Sequence, residues 1–514
     1  MDESMNPSSP QENVPSGEKQ TVRFSGRDWI TLLIALGLAV LWFSIFGFEV
    51  LLRGATAPAG LGTALYVLAL FAAVLFRLGR RAVWTRTTVL LLAACVLLAV
   101  NCFVYANAWT ALINCFVLLG TGAMEIFALS GKLGAAVSDV RAVGRTVALS
   151  FRALFVNMGK PFRALGSLYR GDRKRIGYIA AGVVCTVPVL ILVIYLLSTA
   201  DAVFGSLFSR LSDWLNGLSA LSLWRVVRAA VLGLMLFSAL YFLTQDAPAA
   251  QNVRKERGCV SAAPFITALT LLDLVYAVFV AIQFAFLFGG RQTAAMSGGY
   301  AEYARSGFFQ LVAVAVINLA AVLVTSVAVR PEGGGKTAVR TLSSLLLAFT
   351  AVILASALYR MCLYISAYGL SILRALTLWG MAFIAVLLIA AGIKVFRPQT
   401  KFWPVFLAAG LAGWLVFSYI NIDARIAKHN VNAYLSGELD EIDVDYLTQN
   451  LSPESLPYIK KLAAEAPELR DDYGLDLNSA AREIERRLSD SLNWRDVTLT
   501  AIRFSSRREY IKKY

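Results

Sequence analysis

A few polar residues stand inside long apolar runs, where they could take part in transport or catalysis. Asp273 is the clearest case, because it lies near the middle of its run, and Asn318 lies near the middle of another. A charge at the bilayer centre costs about 2.5–3.5 kcal/mol on insertion scales, so such residues face a bundle interior and often mark function. Antiparallel helices would bring Asp273 and Asn318 to similar depth as a candidate midmembrane pair. The pair then either lines a solute or proton path or locks two helices together.

A second set of polar residues falls at the ends of the later apolar runs. Glu302 and Arg305 are close enough in the chain to share one face of a helix and form an ion pair, beside Tyr300 and Tyr303. This ion pair either anchors a helix at headgroup depth or belongs to a larger site. Antiparallel packing predicts that one membrane face gathers a candidate polar cluster made of Glu302, Arg305, Arg360, Arg374, Asn421, Asp423 and Arg425. Because arginines outnumber acids in it, an anionic headgroup or carboxylate would suit this cluster.

The familiar motifs of enzymes and metal sites are missing from the sequence. His429 is the only histidine, and no Gly-x-Ser-x-Gly or Cys-x-x-Cys motif occurs. The stretch 333–337 resembles the end of a phosphate-binding P-loop, but Arg330 stands where that motif requires glycine. We therefore predict no catalytic residue, no cofactor and no metal, and common hydrolase and metalloenzyme chemistry is disfavoured. A membrane-embedded transferase that uses Glu302 or Asp423 is a third, weaker hypothesis beside the two given below.

The composition describes a protein whose main solvent is lipid. Hydrophobic residues make up 58% of the 514 residues and charged residues 16%. The net charge of +15 comes from basic residues that lie between apolar runs, as in cytoplasmic loops that face anionic headgroups. The sequence thus predicts a polytopic membrane protein that does not bind nucleic acid.

The elements that must position the polar residues are membrane-spanning helices. Eleven apolar runs approach or exceed the roughly 20 residues that span a bilayer, and the first is too long for a signal peptide. These runs are 29–52, 60–79, 83–102, 108–129, 176–198, 222–244, 262–288, 306–329, 338–360, 375–395 and 402–422. The predicted fold class is an all-α transmembrane helix bundle of about 11 helices with a small helical C-terminal extramembrane domain.

Composition divides the chain into five parts. Residues 1–27 form a tail without apolar periodicity, which we expect to be disordered. The parts that follow are 28–129, four transmembrane helices; 130–175, a basic amphipathic connection; 176–424, a transmembrane core of seven helices; and 425–514, a charged helical domain. That last domain holds fourteen Lys or Arg and sixteen Asp or Glu residues, so it belongs in water.

The distribution of Lys and Arg between the runs predicts the topology. The connection 130–175 carries ten basic residues, whereas 199–221 carries only Arg210. By the positive-inside rule the N-terminus and the 130–175 connection are cytoplasmic, and eleven helices then place the C-terminus outside. Valines and phenylalanines at helical spacing beside Arg141 and Arg145 predict an amphipathic helix that binds anionic lipid at the inner leaflet.

Three segments resemble a known family. They are Tyr300-Ala-Glu-Tyr-Ala-Arg305, Ala357-Leu-Tyr-Arg-Met-Cys-Leu-Tyr364 and Asn421-Ile-Asp-Ala-Arg-Ile-Ala-Lys-His-Asn430. The family is a bacterial group of polytopic membrane proteins catalogued only as a domain of unknown function, and the resemblance covers about 185–450. It implies a multi-pass protein of the bacterial plasma membrane and supplies no catalytic residues.

Two hypotheses about function follow. The first is a non-enzymatic membrane protein whose outer polar cluster and C-terminal domain bind a protein partner or sense an envelope signal. The alternative is a transporter that moves a small solute or lipid through the bundle of helices 7–11, past Asp273 and Asn318. The absence of a visible internal repeat weighs against the alternative, since many transporters carry one.

The topology can be tested with single cysteines. A Cys that replaces Ser489 is expected to react with a membrane-impermeant thiol reagent in intact cells, because the C-terminal domain is predicted to lie outside. A Cys at position 167, in the basic connection, should react only after lysis. Protection of position 489 until lysis would overturn the assignment.

Overall fold

The computed structural model describes residues 24–46, 60–134, 139–168, 220–245, 261–288, 308–329, 335–470, 474, 476–490 and 497–504. Its secondary structure there is helical apart from isolated bridge residues, such as the pair Arg470 and Asp476. The all-α prediction is therefore confirmed. The α-helices are α1 Gly26–Phe46, α2 Leu61–Leu78, α3 Arg86–Val104, α4 Ala108–Leu129, α5 Arg141–Phe155, α6 Lys160–Leu168, α7 Ala220–Leu243, α8 Ala263–Phe288, α9 Phe308–Ala328, α10 Gly335–Tyr368, α11 Ile372–Phe396, α12 Phe402–Tyr419, α13 Ile422–Leu435, α14 Leu456–Glu465, α15 Leu477–Asp490 and α16 Leu499–Phe504.

Within the described ranges, 10 helices are long and apolar enough to cross a membrane, namely α1 to α4 and α7 to α12. Each of them overlaps one of the predicted runs. The remaining predicted run, 176–198, lies outside the described residues, as do the tail 1–23 and the loop 199–219. The chain is thus a multi-pass membrane protein with a helix-bundle fold.

The chain divides into two compact units, and the larger comprises residues 41–150 and 243–514. In this unit the 34-residue helix α10 packs against α8, α9 and α11 around a buried apolar cluster that includes Ala315, Leu346 and Ala357. A second cluster joins α2, α3, α4, α11 and α12 around Leu98 and Trp414. Small residues such as alanine let membrane helices approach closely, which stabilises the bundle through van der Waals contact.

The smaller unit comprises residues 1–40 and 151–242. In it the Ser238 hydroxyl donates to the Ala153 carbonyl over 2.6 Å and accepts from the Asn157 amide over 2.9 Å. Gly233 packs against Leu36 so closely that a Cβ would lie 2.6 Å from a Leu36 methyl carbon. The hydrogen bonds fix α5 and the residues that follow it against α7, and the contact between Gly233 and Leu36 packs α1 against α7.

Helices α13 to α16 form a domain with its own apolar core in the larger unit. Ile426 of α13 packs there with Leu447, Ile459 and Leu462, and all four are fully buried. This domain comprises most of the charge-dense segment 425–514, which the sequence analysis predicts to lie in water. Its first helix follows the last transmembrane helix after only Ile420 and Asn421, so the domain is joined directly to the bundle.

A buried polar network ties α3, α4 and α12 together inside the apolar region. Asn114 donates to the Asn101 side chain over 2.8 Å, and its own oxygen accepts from the Trp414 indole over 2.7 Å. Asn101 in turn donates to the Ser418 carbonyl over 3.0 Å. Such hydrogen bonds fix the relative positions of neighbouring membrane helices, which non-directional apolar contacts define less sharply.

The turn between α10 and α11 is bound to the C-terminal domain. The side chain of Asn430 accepts from the Leu370 amide over 2.7 Å and donates to the Leu370 carbonyl over 2.9 Å. The preceding residue, Gly369, has a φ of 72°, and a Cβ there would lie 2.8 Å from Asn430 Oδ1. Glycine is therefore required both by the left-handed backbone and by the close approach of Asn430.

We expect Gly369→Ala to lower the free energy of unfolding by about 1–3 kcal/mol. The new methyl group would face both an unfavourable positive φ and a steric clash with Asn430, and the two costs add. The matched control is Gly380→Ala within α11, where no atom lies within 4 Å of the new methyl group. That control should be neutral or slightly stabilising. Thermal unfolding of the purified protein measures both, and equal effects would refute the role of Gly369.

Candidate functional site

The candidate site lies at the junction between α12 and α13. Asn421 takes a left-handed conformation with a φ of 57° and caps α13, its side chain accepting from the Ala424 amide over 3.4 Å. Asparagine is one of the few non-glycine residues that tolerate this region, and it is also a preferred N-cap. The resulting sharp turn directs Asp423, in the first turn of α13, into the protein, where it is 3% exposed.

Two parts of the larger unit hold the Asp423 carboxylate. Its Oδ2 atom accepts from the Asn107 side-chain amide over 2.6 Å, and Asn107 caps α4 at the turn between α3 and α4. The same oxygen accepts from the Ser452 backbone amide over 2.9 Å. Asp423 thus links a transmembrane turn to the C-terminal domain.

Glu454 makes a similar pair of hydrogen bonds, one of them with the residue that precedes Asn107. Its Oε1 atom accepts from the Ala106 amide over 2.7 Å and from the Thr500 hydroxyl over 2.6 Å. Glu454 is 5% exposed, and Thr500 is also buried. Because the donors to the two carboxylates include the adjacent residues 106 and 107, and the charge of Glu454 acts on Asp423, the two carboxylates are neighbours. We call Asp423, Glu454, Asn107, Ser452 and Thr500 the acid-pair site.

No Lys or Arg in the described part of the chain forms an ion pair with either carboxylate. Burial raises the pKa of the Asp423 carboxyl to about 6; the hydrogen bonds from Ser452 and Asn107 lower it, and the charge of Glu454 raises it. Burial and the same Glu454 charge raise the pKa of Tyr105. Asp423 and Tyr105 thus both respond to the carboxylate of Glu454.

The opposite face of α13 lines an open cavity of about 410 Å³. Its lining residues are Arg425, Lys428, His429, Asn432, Ala433, Ser436 and Glu438, and we call this the α13 groove. Arg425, Lys428, His429 and Asn432 recur at helical spacing and are exposed. One helix thus carries the buried acid on one face and a mainly basic groove on the other.

Two other predicted members of the outer cluster, Arg374 and Arg425, donate to backbone carbonyls close to them in the chain. The Arg374 guanidinium donates to the Tyr368 and Gly369 carbonyls and stacks 4.2 Å from the Tyr364 ring centroid. Arg425 Nε donates to the Ile420 carbonyl over 3.1 Å.

Arg374 and Asp423 form no ion pair with each other in the described structure. Arg360 lies in α10, while Glu302 and Arg305 lie outside the described residues. The complete cluster stays a prediction.

The candidate midmembrane pair does not share a hydrogen bond. Asn318 is fully buried in α9 and donates to the Thr350 hydroxyl of α10 over 3.0 Å. Asp273 is 4% exposed in α8, and both of its carboxylate oxygens lack a hydrogen-bond partner among the described residues. The long helix α10 packs against both α8 and α9, so Asn318 bonds to α10 rather than to Asp273.

Sequence reasoning did not select Asn107, Glu454 or Thr500. Asn107 carried a detectable signal, since an asparagine before an apolar run is a typical N-cap. Glu454 follows the Ser452-Pro453 helix start, but nothing in the local pattern indicates that it is buried. Its role depends on contacts with residue 106 and residue 500, which are distant in sequence.

The fold and the buried polar groups at helix ends define an integral multi-pass membrane protein. The chain belongs to the family described as Domain of unknown function (DUF4153), whose model matches residues 92–462. This match is wider than the resemblance from 185 to 450 and takes in most of α3 and all of α4. No curated protein and no solved structure matches the chain.

Thr500→Val is expected to weaken the attachment of the C-terminal domain. Valine keeps the shape but removes the hydroxyl that donates to Glu454, which leaves a buried carboxylate with one donor fewer and should destabilise by about 1–3 kcal/mol. Thr377→Val, at a half-buried position of α11 where the hydroxyl bonds only to the Leu373 carbonyl of its own helix, should change stability by less than about 0.5 kcal/mol. Limited proteolysis of the C-terminal domain reports the difference, and equal cleavage rates would contradict this role.

Proposed function

We propose that this protein is a non-enzymatic membrane protein whose C-terminal domain binds a partner or senses an envelope signal, and that α13 transmits the event to the transmembrane helices. The observation that carries this proposal is the double use of α13. Its exposed face lines the α13 groove, and its buried face places Asp423 on the α3–α4 turn.

The contacts around α13 support mechanical coupling. Asp423 contacts Asn107 at the start of α4, and Asn430 contacts Leu370 between α10 and α11. A shift of α13 by a bound partner therefore changes hydrogen bonds at two transmembrane turns. Buried hydrogen bonds of this kind switch between discrete arrangements rather than stretching continuously, which suits signalling.

The chemistry of the α13 groove indicates the character of the partner. Arg425 and Lys428 present cationic groups, and Lys461 donates to the Asn432 side chain over 2.9 Å at the same face. An acidic protein surface would pair with these groups through charge-assisted hydrogen bonds. The proposal includes the location, with the C-terminal domain outside a bacterial plasma membrane and the N-terminus in the cytoplasm.

A photo-crosslinking residue at position 429 tests partner binding in intact cells. His429 is exposed in the α13 groove, so we expect a specific crosslinked product. Lys428→Glu should reduce its yield at least about fivefold, since the loss of one charge-assisted contact corresponds to about 1–3 kcal/mol.

The matched control places the crosslinker at Glu468, which is exposed on the same domain and does not line the groove. This position should give none of the specific product. The same products from both positions, or no effect of Lys428→Glu, would count against the groove as a binding surface.

A transporter remains the second candidate, and Asp273 favours it. A buried carboxylate without a hydrogen-bond partner among the described residues, inside a membrane-spanning helix, is the kind of group that lines an ion or solute path. On this hypothesis Asp273→Asn abolishes transport and leaves crosslinking at position 429 unchanged. Loss of crosslinking in the Asp273 variant would instead tie this residue to partner binding.

We also propose that the connection 130–175 binds anionic lipid. Its helix α5 leaves Val143, Val147 and Phe151 exposed, and Arg141, Arg145 and Arg152 lie on the same helix. An exposed apolar face combined with arginines is typical of helices that lie in the headgroup region.

A further inference from the structure

The two buried carboxylates of the acid-pair site are each satisfied on one side only. Asp423 uses Oδ2 and Glu454 uses Oε1 to accept from protein donors. The other two oxygens, Asp423 Oδ1 and Glu454 Oε2, are buried and have no hydrogen-bond partner among the described residues. Ser452 Oγ is likewise buried without a hydrogen bond of good geometry, although it lies close enough to Asp423 to lower the pKa of that carboxyl. Two carboxylate oxygens and one hydroxyl oxygen of this site are therefore available to a ligand.

The charge of the site calls for a cation. A buried carboxylate without a counter-charge is unfavourable by several kcal/mol, and here two lie side by side without a Lys or Arg ion pair in the described part of the chain. The donors that hold Oδ2 and Oε1 are neutral amides and a hydroxyl, so they orient the carboxylates but do not balance their charge.

We propose that Asp423 and Glu454, assisted by Ser452 Oγ, bind a hard divalent cation of the Mg²⁺ or Ca²⁺ type. Such ions prefer oxygen ligands, and Mg²⁺ in particular is commonly held by one or two carboxylates with water completing its shell. Each carboxylate keeps one oxygen on protein donors and offers the other to the metal, which gives both side chains a fixed orientation.

A histidine-poor sequence does not oppose this site. The described residues contain no group of three or more His, Cys, Asp or Glu side chains placed to hold a metal, so this site offers two carboxylates and depends on Ser452 and water for further ligands. A hard cation needs only oxygen atoms. Bound between the α3–α4 turn and the 452–454 segment, it would fasten the C-terminal domain to the bundle.

The test uses the purified full-length chain and no partner, so its outcome is independent of the proposed partner-binding function. After treatment with a chelator, millimolar Mg²⁺ or Ca²⁺ at neutral pH should slow proteolysis of the C-terminal domain by at least about fivefold, as mass action predicts when the ion exceeds its dissociation constant several-fold. A matched concentration of Na⁺ controls for ionic strength.

Asp423→Asn and Glu454→Gln keep the side-chain shape and the oxygen that accepts from the protein, and each should lose this cation-dependent protection. Glu483→Gln should retain it, because Glu483 is paired with Arg486 and Arg487 on the surface of α15. Equal protection in all variants would overturn the proposal. A second result would also overturn it: proteolysis of the wild-type chain is slowed by acidification but not by Mg²⁺ or Ca²⁺. The two carboxylates would then share a proton rather than a metal ion.

Discussion

The hydrogen bonds that the buried Asp423 carboxylate accepts from Asn107 and from the Ser452 amide hold the larger unit's two kinds of structure together. Asn107 belongs to a turn between membrane helices, and Ser452 belongs to the water-exposed domain. Without this carboxylate, both donors would be buried unpaired, and each unpaired group is unfavourable by about 1–3 kcal/mol. The position of the C-terminal domain on the bundle therefore depends in part on this carboxylate in the first turn of α13.

That arrangement holds the C-terminal domain in a fixed orientation on the helices of the larger unit. A helix that follows a membrane span after two residues has little freedom, and here three separate contacts remove the rest: Asp423 with Asn107, Glu454 with Ala106, and Asn430 with Leu370. Apolar packing inside the domain supplies its stability, whereas these polar contacts supply its orientation. Directional hydrogen bonds specify geometry in a way that apolar contacts between membrane helices do not.

Much of the fold followed from sequence pattern. Long apolar runs and the change to charged composition after Asp423 predicted the spanning helices and the C-terminal domain, because lipid forces each span to satisfy its own backbone. The candidate site was harder. Asp423 and Asn421 were selected, but Glu454, Asn107 and Thr500 were not. Asn318, which the sequence analysis paired with Asp273, donates to Thr350 instead. Helix neighbours in the sequence need not be the helices that pack against each other.

The sequence by itself determined the class of protein and the position of most helices, since these depend on local periodicity and on transfer of side chains between water and lipid. Only the tertiary structure decided that Asp423 and Glu454 form a pair, that Asn114 joins three helices, and that Gly369 must remain glycine. Each of these depends on atoms brought together from segments tens to hundreds of residues apart, and a single sequence carries no local signal for such contacts.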